Sequence, residues 1–248
     1  LGLYYSYKLY KKTIIIMNLK KILGVIPARG GSKGIPKKNI IEIGGNPLIY
    51  YTIKAGSNSK MLTHCVVSTE SDEIERIAKA HGGSVPFKRP EELSSDNAVS
   101  MPVMKHAIQF MEKKQKCKYD IVVMLQPTTP LRLAEDIDNS LILLEETKAD
   151  AVISVTDVGA NHPLRMKRVV DGRLINYIDQ GYENMQPRQE LPPVFIRNGA
   201  IYAVKRDVLM EDDSWVGDDV RAYVMSLDRS VNIDTFADLL LAKSYFFQ

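Results

Sequence analysis

Cysteine is scarce: Cys65 and Cys117 are the two in 248 residues, and no Asn-x-Ser/Thr glycosylation acceptor occurs. A disulfide framework is therefore excluded as the source of stability, and a reducing, cytoplasmic setting is expected. No apolar run approaches the roughly 18 residues a membrane span needs. Charge of one sign is also lacking, because 33 Lys and Arg face 30 Asp and Glu for a net +3, too little to make nucleic acid the main partner. With 45% hydrophobic and 25% charged residues, the chain has the balance of a globular protein able to bury a full core. The opening LGLYYSYKLYKKTIII has no signal-peptide core. Residues 1–16 are expected to be an upstream extension or disordered tail, the rival being an amphipathic surface anchor.

From Ile22 onward short apolar runs alternate with helical stretches. ILGVI (22–26), CVVST (65–69), IVVMLQ (121–126) and AVISV (151–155) are too short for helices and rich in β-branched residues, so they read as buried parallel strands. The segments 47–57, 71–81, 98–115 and 133–147 carry spaced apolar positions with Lys and Glu between them. Pro47 and Pro102 suit first helical turns. Strand–helix alternation predicts an α/β fold with a doubly wound, mostly parallel sheet. After Val155 the rhythm changes. VVDGRLINYI (169–178) reads as a hairpin turning at Asp171-Gly172, and residues 157–195 as a small insertion on one domain spanning 17–248. VFIRNGAIYAV and YVMS (223–226) return to strand character, and a closing helix is expected to pack Phe236, Leu239, Leu240 and Phe246 inward.

The strongest chemical signal is PARGGSKGIPKKN (27–39), where Gly30, Gly31 and Gly34 lie among Arg29, Lys33, Lys37 and Lys38 with no acid. A loop at the carboxyl end of a parallel strand is where open α/β sheets bind ligands. Glycines there let backbone N–H groups approach phosphate while the cations offset its charge. The loop matches neither the Walker A nor the G-x-G-x-x-G pattern. Its local alternative is a solvated basic loop, and phosphate binding is preferred. In KRPEELSSDNAVS (88–100), Arg89 and the serines precede a helix, and helix capping is the favoured local reading. LQPTTPLR (125–132) is a loop stiffened by proline, with Gln126 able to pair with a base or sugar. In NID (232–234), an acid before the last helix suits either Mg²⁺ or a cap.

Taken in order, PARGGSKGIPKKN, RPEELSSDNA, LQPTTPLR, QPRQELPPVFIRNGAIY and NIDTFADLLLA resemble the acylneuraminate cytidylyltransferase family, from about Lys21 to the C-terminus. The resemblance implies a nucleotide-diphospho-sugar transferase-like fold whose insertion serves dimerisation. It also implies an enzyme transferring CMP from CTP to the anomeric hydroxyl of an acidic 2-keto sugar of the nonulosonic type, with release of pyrophosphate. Ala28, Arg29, Lys33, Lys38 and Asn39 would then hold CTP, with Arg89 and Ser100 lining the nucleotide pocket. Gln126, Arg165, Arg188, Asn198 and Tyr202 would face the sugar, and Asp234 with Asn232 would hold Mg²⁺ or Mn²⁺. Three positions depart from the family pattern. Asn232 replaces the first acid of the D-x-D element, Arg165 stands where lysine is common, and Arg197 directly precedes Asn198. The alternatives are an enzyme of the CMP-Kdo type and a non-catalytic nucleotide-sugar-binding protein.

Overall fold

The computed structural model describes residues 17, 19–31, 34–95, 99–178 and 187–246, with the Arg188 side chain excepted. Residues 1–16, Lys33 and the 179–186 part of the insertion lie outside them, so the expectations on these are not addressed by the structure.

Strands β1 (Ile22–Pro27), β4 (His64–Ser68), β5 (Ile121–Met124), β6 (Ala151–Asp157), β9 (Phe195–Lys205) and β10 (Val220–Val224) form one six-stranded sheet. Its order is β10-β6-β9-β5-β1-β4. β1 lies between β4 and β5 and pairs with both in parallel, Gly24 facing Cys65 on one side and Val123 on the other. β10 runs parallel to β6, whereas β9 runs antiparallel to both of its neighbours. The sheet is thus mostly parallel with one reversed central strand. That reversal brings the start of β9 to the edge where β1, β5 and β6 end.

Alternation along the strands sorts the core into two layers. Ile22 and Ile26 of β1, with Ile121 and Val123 of β5, pack with helices α1 (Leu48–Asn58), α2 (Asp72–Ala80) and α4 (Ala134–Thr147). Leu23, Val25, Val122 and Met124 face the other way, onto α3 (Ser100–Gln115) and α5 (Arg206–Met210). Helices therefore cover both faces, as a doubly wound sheet requires. A third cluster joins Ile35, Ile43 and Leu48 to Ile233, Leu239 and Ala242, docking α6 (Phe236–Phe246) beside the loop after β1.

The short strands β2 (Glu42–Ile43) and β3 (Asn46–Pro47) form a small ribbon leading into α1. Strands β7 (Lys167–Val170) and β8 (Arg173–Asn176) form the expected hairpin, separate from the main sheet. Its turn residues Asp171 and Gly172 have φ of 50° and 77°, the two positive values a type I′ turn needs.

Two details differ from expectation. β10 begins at Val220, three residues before the expected start, because its pairing with β6 runs from Ala151 to Val155. In α6, Leu239 is buried but Phe236 and Leu240 are 59% and 68% exposed. The helix is apolar on more than one side, and only the side carrying Leu239 and Ala242 meets the core.

Candidate active site

A cleft of about 550 Å³ opens at the carboxyl edge of the sheet, where four loops converge. Pro27, Arg29, Gly31, Gly34, Lys38 and Asn39 come from the loop after β1. Arg89 and Leu93 precede α3, which adds Ser100 and Val103. Gln126, Pro127 and Thr128 follow β5, and Asn232 and Asp234 precede α6. Of the site residues expected from sequence, the structure brings Arg29, Lys38, Asn39, Arg89, Ser100, Gln126, Asn232 and Asp234 together around this one space. Lys33 falls outside the described residues.

The loop after β1 is held by its own polar groups. Asn39 donates its amide Nδ2 to the Arg29 carbonyl at 2.9 Å. Lys38 Nζ donates to the Ile233 carbonyl at 2.9 Å and to Asp234 Oδ1 at 2.8 Å, so the cationic loop is stapled to the N-I-D element 196 positions away in sequence. A Cβ on Gly34 would lie 2.6 Å from the Asp234 carbonyl oxygen, which leaves room for glycine alone. Lys37 turns away in a left-handed conformation and pairs with Glu73 at 2.8 Å. On the inner side, Gly30 N–H donates to Glu70 Oε1 at 2.6 Å, while Glu70 Oε2 is buried with no hydrogen-bond partner among the described residues.

Arg89 forms the floor. It is 4% exposed, donating Nε to Ser68 Oγ at 3.1 Å and a terminal nitrogen to the Ser68 carbonyl. Burial lowers its pKa to about 10; Glu70 opposes that shift and the neighbouring Arg29 adds to it. The guanidinium remains charged at neutral pH. Arg29 itself donates to the Ser95 carbonyl at 2.9 Å. The capping reading of the serine stretch is not met: the residue before α3 is Val99 and no side chain caps the helix. Ser100 instead occupies the first helical position and lines the cleft.

Gln126, Gly199 and Asn232 meet at the far wall. A Cβ on Gly199, whose φ is +78°, would stand 2.6 Å from Gln126 Oε1 and 3.6 Å from Asn232 Oδ1. Asn232 donates Nδ2 to Asp234 Oδ2 at 3.0 Å, and its Oδ1 is buried without a hydrogen-bond partner among the described residues. Behind this wall lies Arg132, 3% exposed, a residue not singled out within LQPTTPLR. It donates to the carbonyls of Gln126 and Ala200 at 3.2 and 2.8 Å and to Thr52 Oγ1 at 2.6 Å. Arg132 thereby fixes the loop that carries Gln126 to β9 and α1. Its motif position was the available signal, but its burial was not legible from the letters.

Other expected residues lie elsewhere. Ala28 is buried beneath the cleft, its N–H bonded to the Ser68 carbonyl at 2.9 Å. Asn198 sits in a bulge of β9, where the register against β6 shifts between Ile153 and Val155. Its Oδ1 meets Ser154 Oγ at 2.6 Å and accepts from Ala200 N–H at 3.1 Å, and its Nδ2 donates to Ser230 Oγ at 2.9 Å. The carboxamide is consumed by the fold, so Asn198 shapes the wall without offering the sugar a polar group. Tyr202 packs against the core layer that faces α3 and α5, its ring centroid 6.0 Å from that of Trp215, and is not among the residues lining the cleft. Burial raises its phenol pKa. Arg165 is exposed at the end of a single helical turn, Pro163–Arg165, and Arg188 opens another, Arg188–Glu190.

Hard divalent cations take oxygen ligands, and Mg²⁺ keeps several waters beside one or two carboxylates and phosphate oxygens. The Asp234 carboxylate and the unpartnered Asn232 Oδ1 fit one such ion shared with a phosphate chain. No group of three or more His, Cys, Asp or Glu able to hold a metal occurs among the described residues, so an all-protein cage does not fit. No helix among them is long and apolar enough to cross a membrane.

A family model described as cytidylyltransferase matches residues 23–217. Post-translational flagellin modification protein B of Campylobacter coli is 34% identical over 225 residues, covering 91% of this chain and 94% of that protein. CMP-N,N'-diacetyllegionaminic acid synthase of Campylobacter jejuni is 32% identical over the same shares. N-acylneuraminate cytidylyltransferase of Streptococcus agalactiae is 33% identical, over 89% of this chain and 52% of its own length. Among solved structures, a CMP:2-keto-3-deoxy-manno-octonic acid synthetase complexed with CTP superposes with a TM-score of 0.68 at 20% identity, covering 92% of this chain and 99% of that one. At that identity the likeness concerns the fold.

Proposed function

The chain belongs to the cytidylyltransferase family, and from that premise we propose that it transfers CMP from CTP to the anomeric hydroxyl of a nonulosonic acid. The observation that carries this reading is the convergence of the glycine-rich cationic loop, Arg89, Gln126 and the Asn232–Asp234 corner on one cleft at the carboxyl edge. The sequence relatives named for legionaminic and acylneuraminic acids favour a nine-carbon acceptor. The octonic acid synthetase, at 20% identity, supports a Kdo acceptor less well.

In this reading the triphosphate lies along Gly31 and Gly34, its charge offset by Arg29, Lys38 and Lys33. Asn39, Arg89 and Ser100 complete the nucleotide half. The sugar hydroxyl attacks the α-phosphorus and gives up its proton to solvent, a new P–O bond forms, and the bond from the α-phosphorus to the oxygen bridging to the β-phosphate breaks as pyrophosphate departs. Such a transfer is served by positioning and charge stabilisation, with no covalent nucleophile on the protein. Asp234 and Asn232 would hold Mg²⁺ or Mn²⁺, which supplies positive charge to the phosphate oxygens. Gln126, Arg165 and Arg188 form the acceptor side, the arginines matching the sugar carboxylate. We further propose a cytoplasmic homodimer. Val169 and Leu174, opposite one another in the β7–β8 ladder, are 72% and 70% exposed, and an isolated two-stranded ribbon needs cover.

The test is pyrophosphate release from CTP and Mg²⁺ with each of N-acetylneuraminic, legionaminic, pseudaminic and Kdo acids. Release with at least one nine-carbon acid is expected. Release with Kdo alone, or with none, contradicts the reading.

A further inference from the structure

Both ring nitrogens of His162 are engaged. The imidazole is 4% exposed. Leu164 N–H donates to Nδ1 at 3.2 Å, so Nδ1 is the acceptor and Nε2 carries the hydrogen, 3.0 Å from the Pro192 carbonyl. A side chain with both ring nitrogens hydrogen-bonded joins two stretches 30 residues apart.

Those stretches carry the two arginines on the acceptor side. His162 begins the turn Pro163–Arg165, closed by Arg165 N–H on the His162 carbonyl at 2.8 Å and Met166 N–H on Pro163 at 3.1 Å. Pro192 follows the turn Arg188–Glu190, closed by Glu190 N–H on the Pro187 carbonyl at 3.0 Å, and Leu191 anchors it in the core at 8% exposure. Backbone cross-linking is curtailed here because Pro163, Pro192 and Pro193 have no N–H to give. Among the described residues, a backbone link also joins Val158 N–H to the Val194 carbonyl at 3.1 Å, at the base of the insertion. Above that base, the imidazole supplies the donor that the prolines lack.

We infer that His162 is a positioning residue for the acceptor: its imidazole ties the Arg165 turn to the Arg188 turn and so sets the spacing of the two guanidinium-bearing segments. This rests on the cytidylyltransferase reading above. His162 does not line the cleft, so its loss acts on sugar binding and leaves CTP binding alone.

Two variants test it. In His162→Asn, the shorter side chain still accepts from Leu164 N–H, as asparagine does at turns, but does not reach Pro192. His162→Ala loses both bonds. For both, the acceptor KM should rise about tenfold with the CTP KM unchanged, and amide exchange over residues 187–194 should quicken about tenfold, the size of one lost hydrogen bond. An Asn variant with wild-type acceptor KM and wild-type exchange overturns the tether, as does a parallel rise in both KM values. A wild type that turns over no acidic sugar contradicts the functional reading instead, and the exchange measurement then decides the tether alone.

Discussion

Replacing Lys38 with methionine separates catalysis from folding. The stem still packs, but Nζ no longer bonds the Ile233 carbonyl at 2.9 Å or Asp234 at 2.8 Å. The Asp234 side chain is 66% exposed, so the ion pair contributes less than about 1 kcal/mol after solvent screening. The charged hydrogen bond to the carbonyl adds about 1.5 kcal/mol. A loss of about 2 kcal/mol lowers Tm by about 4–8 °C in a chain this size. Set against a typical stability of 5–15 kcal/mol, it leaves the protein folded at 25 °C. The rate should suffer far more, because removing one preorganised cationic donor from a developing phosphate charge costs about 10²–10³ in kcat. The assay is initial pyrophosphate release at saturating CTP and acceptor, with circular dichroism melting alongside. A folded variant whose kcat stays within about threefold of wild type refutes the placing of Lys38 on the triphosphate.

Arg132→Met should cost about 3–5 kcal/mol, since the carbonyls of Gln126 and Ala200 and the Thr52 hydroxyl each lose a charged donor worth about 1–3 kcal/mol; urea unfolding measures it, and a loss below about 1 kcal/mol contradicts the bracing role. Asp234→Asn should raise the Mg²⁺ concentration needed for half-maximal rate far more than Asn232→Ala, because Asp234 brings a carboxylate to the cleft lining and Asn232 a neutral amide; Mg²⁺ titration of the rate decides, and equal effects refute it. Val169→Lys with Leu174→Lys should convert a species of twice the 27.9 kDa chain mass into monomer by light scattering. A wild type already monomeric at micromolar concentration removes the dimer.

The main sheet was legible because buried strands announce themselves as short β-branched runs between turns, and ILGVI and AVISV became β1 and β6. The Asp171-Gly172 turn was legible because its chemistry is local. Strand direction was not: a buried run reads the same either way, and the reversal of β9 is set by its neighbours. The bulge at Asn198 depends on register against Ser154, which no local pattern encodes, so the turn of Asn198 into the fold was hidden. Along α6, Phe236 and Leu240 look as core-forming as Leu239, and only the position of Ile35 and Ile43 selects the buried side. Eight of the expected site residues meet in the cleft because their motifs sit on loops that the parallel strands deliver to one edge. Arg132 and Glu70 carry no local signal because they act from behind those loops, through partners distant in sequence.

The proposed reaction is attack by the acceptor on the α-phosphorus of CTP held at the carboxyl edge. Phosphorus NMR of CTP, Mg²⁺, the enzyme and a nine-carbon nonulosonic acid tests it directly. The β and γ resonances should vanish together into one pyrophosphate signal while a phosphodiester signal grows in equal amount. Appearance of CDP or orthophosphate, or a spectrum that does not change, would contradict it.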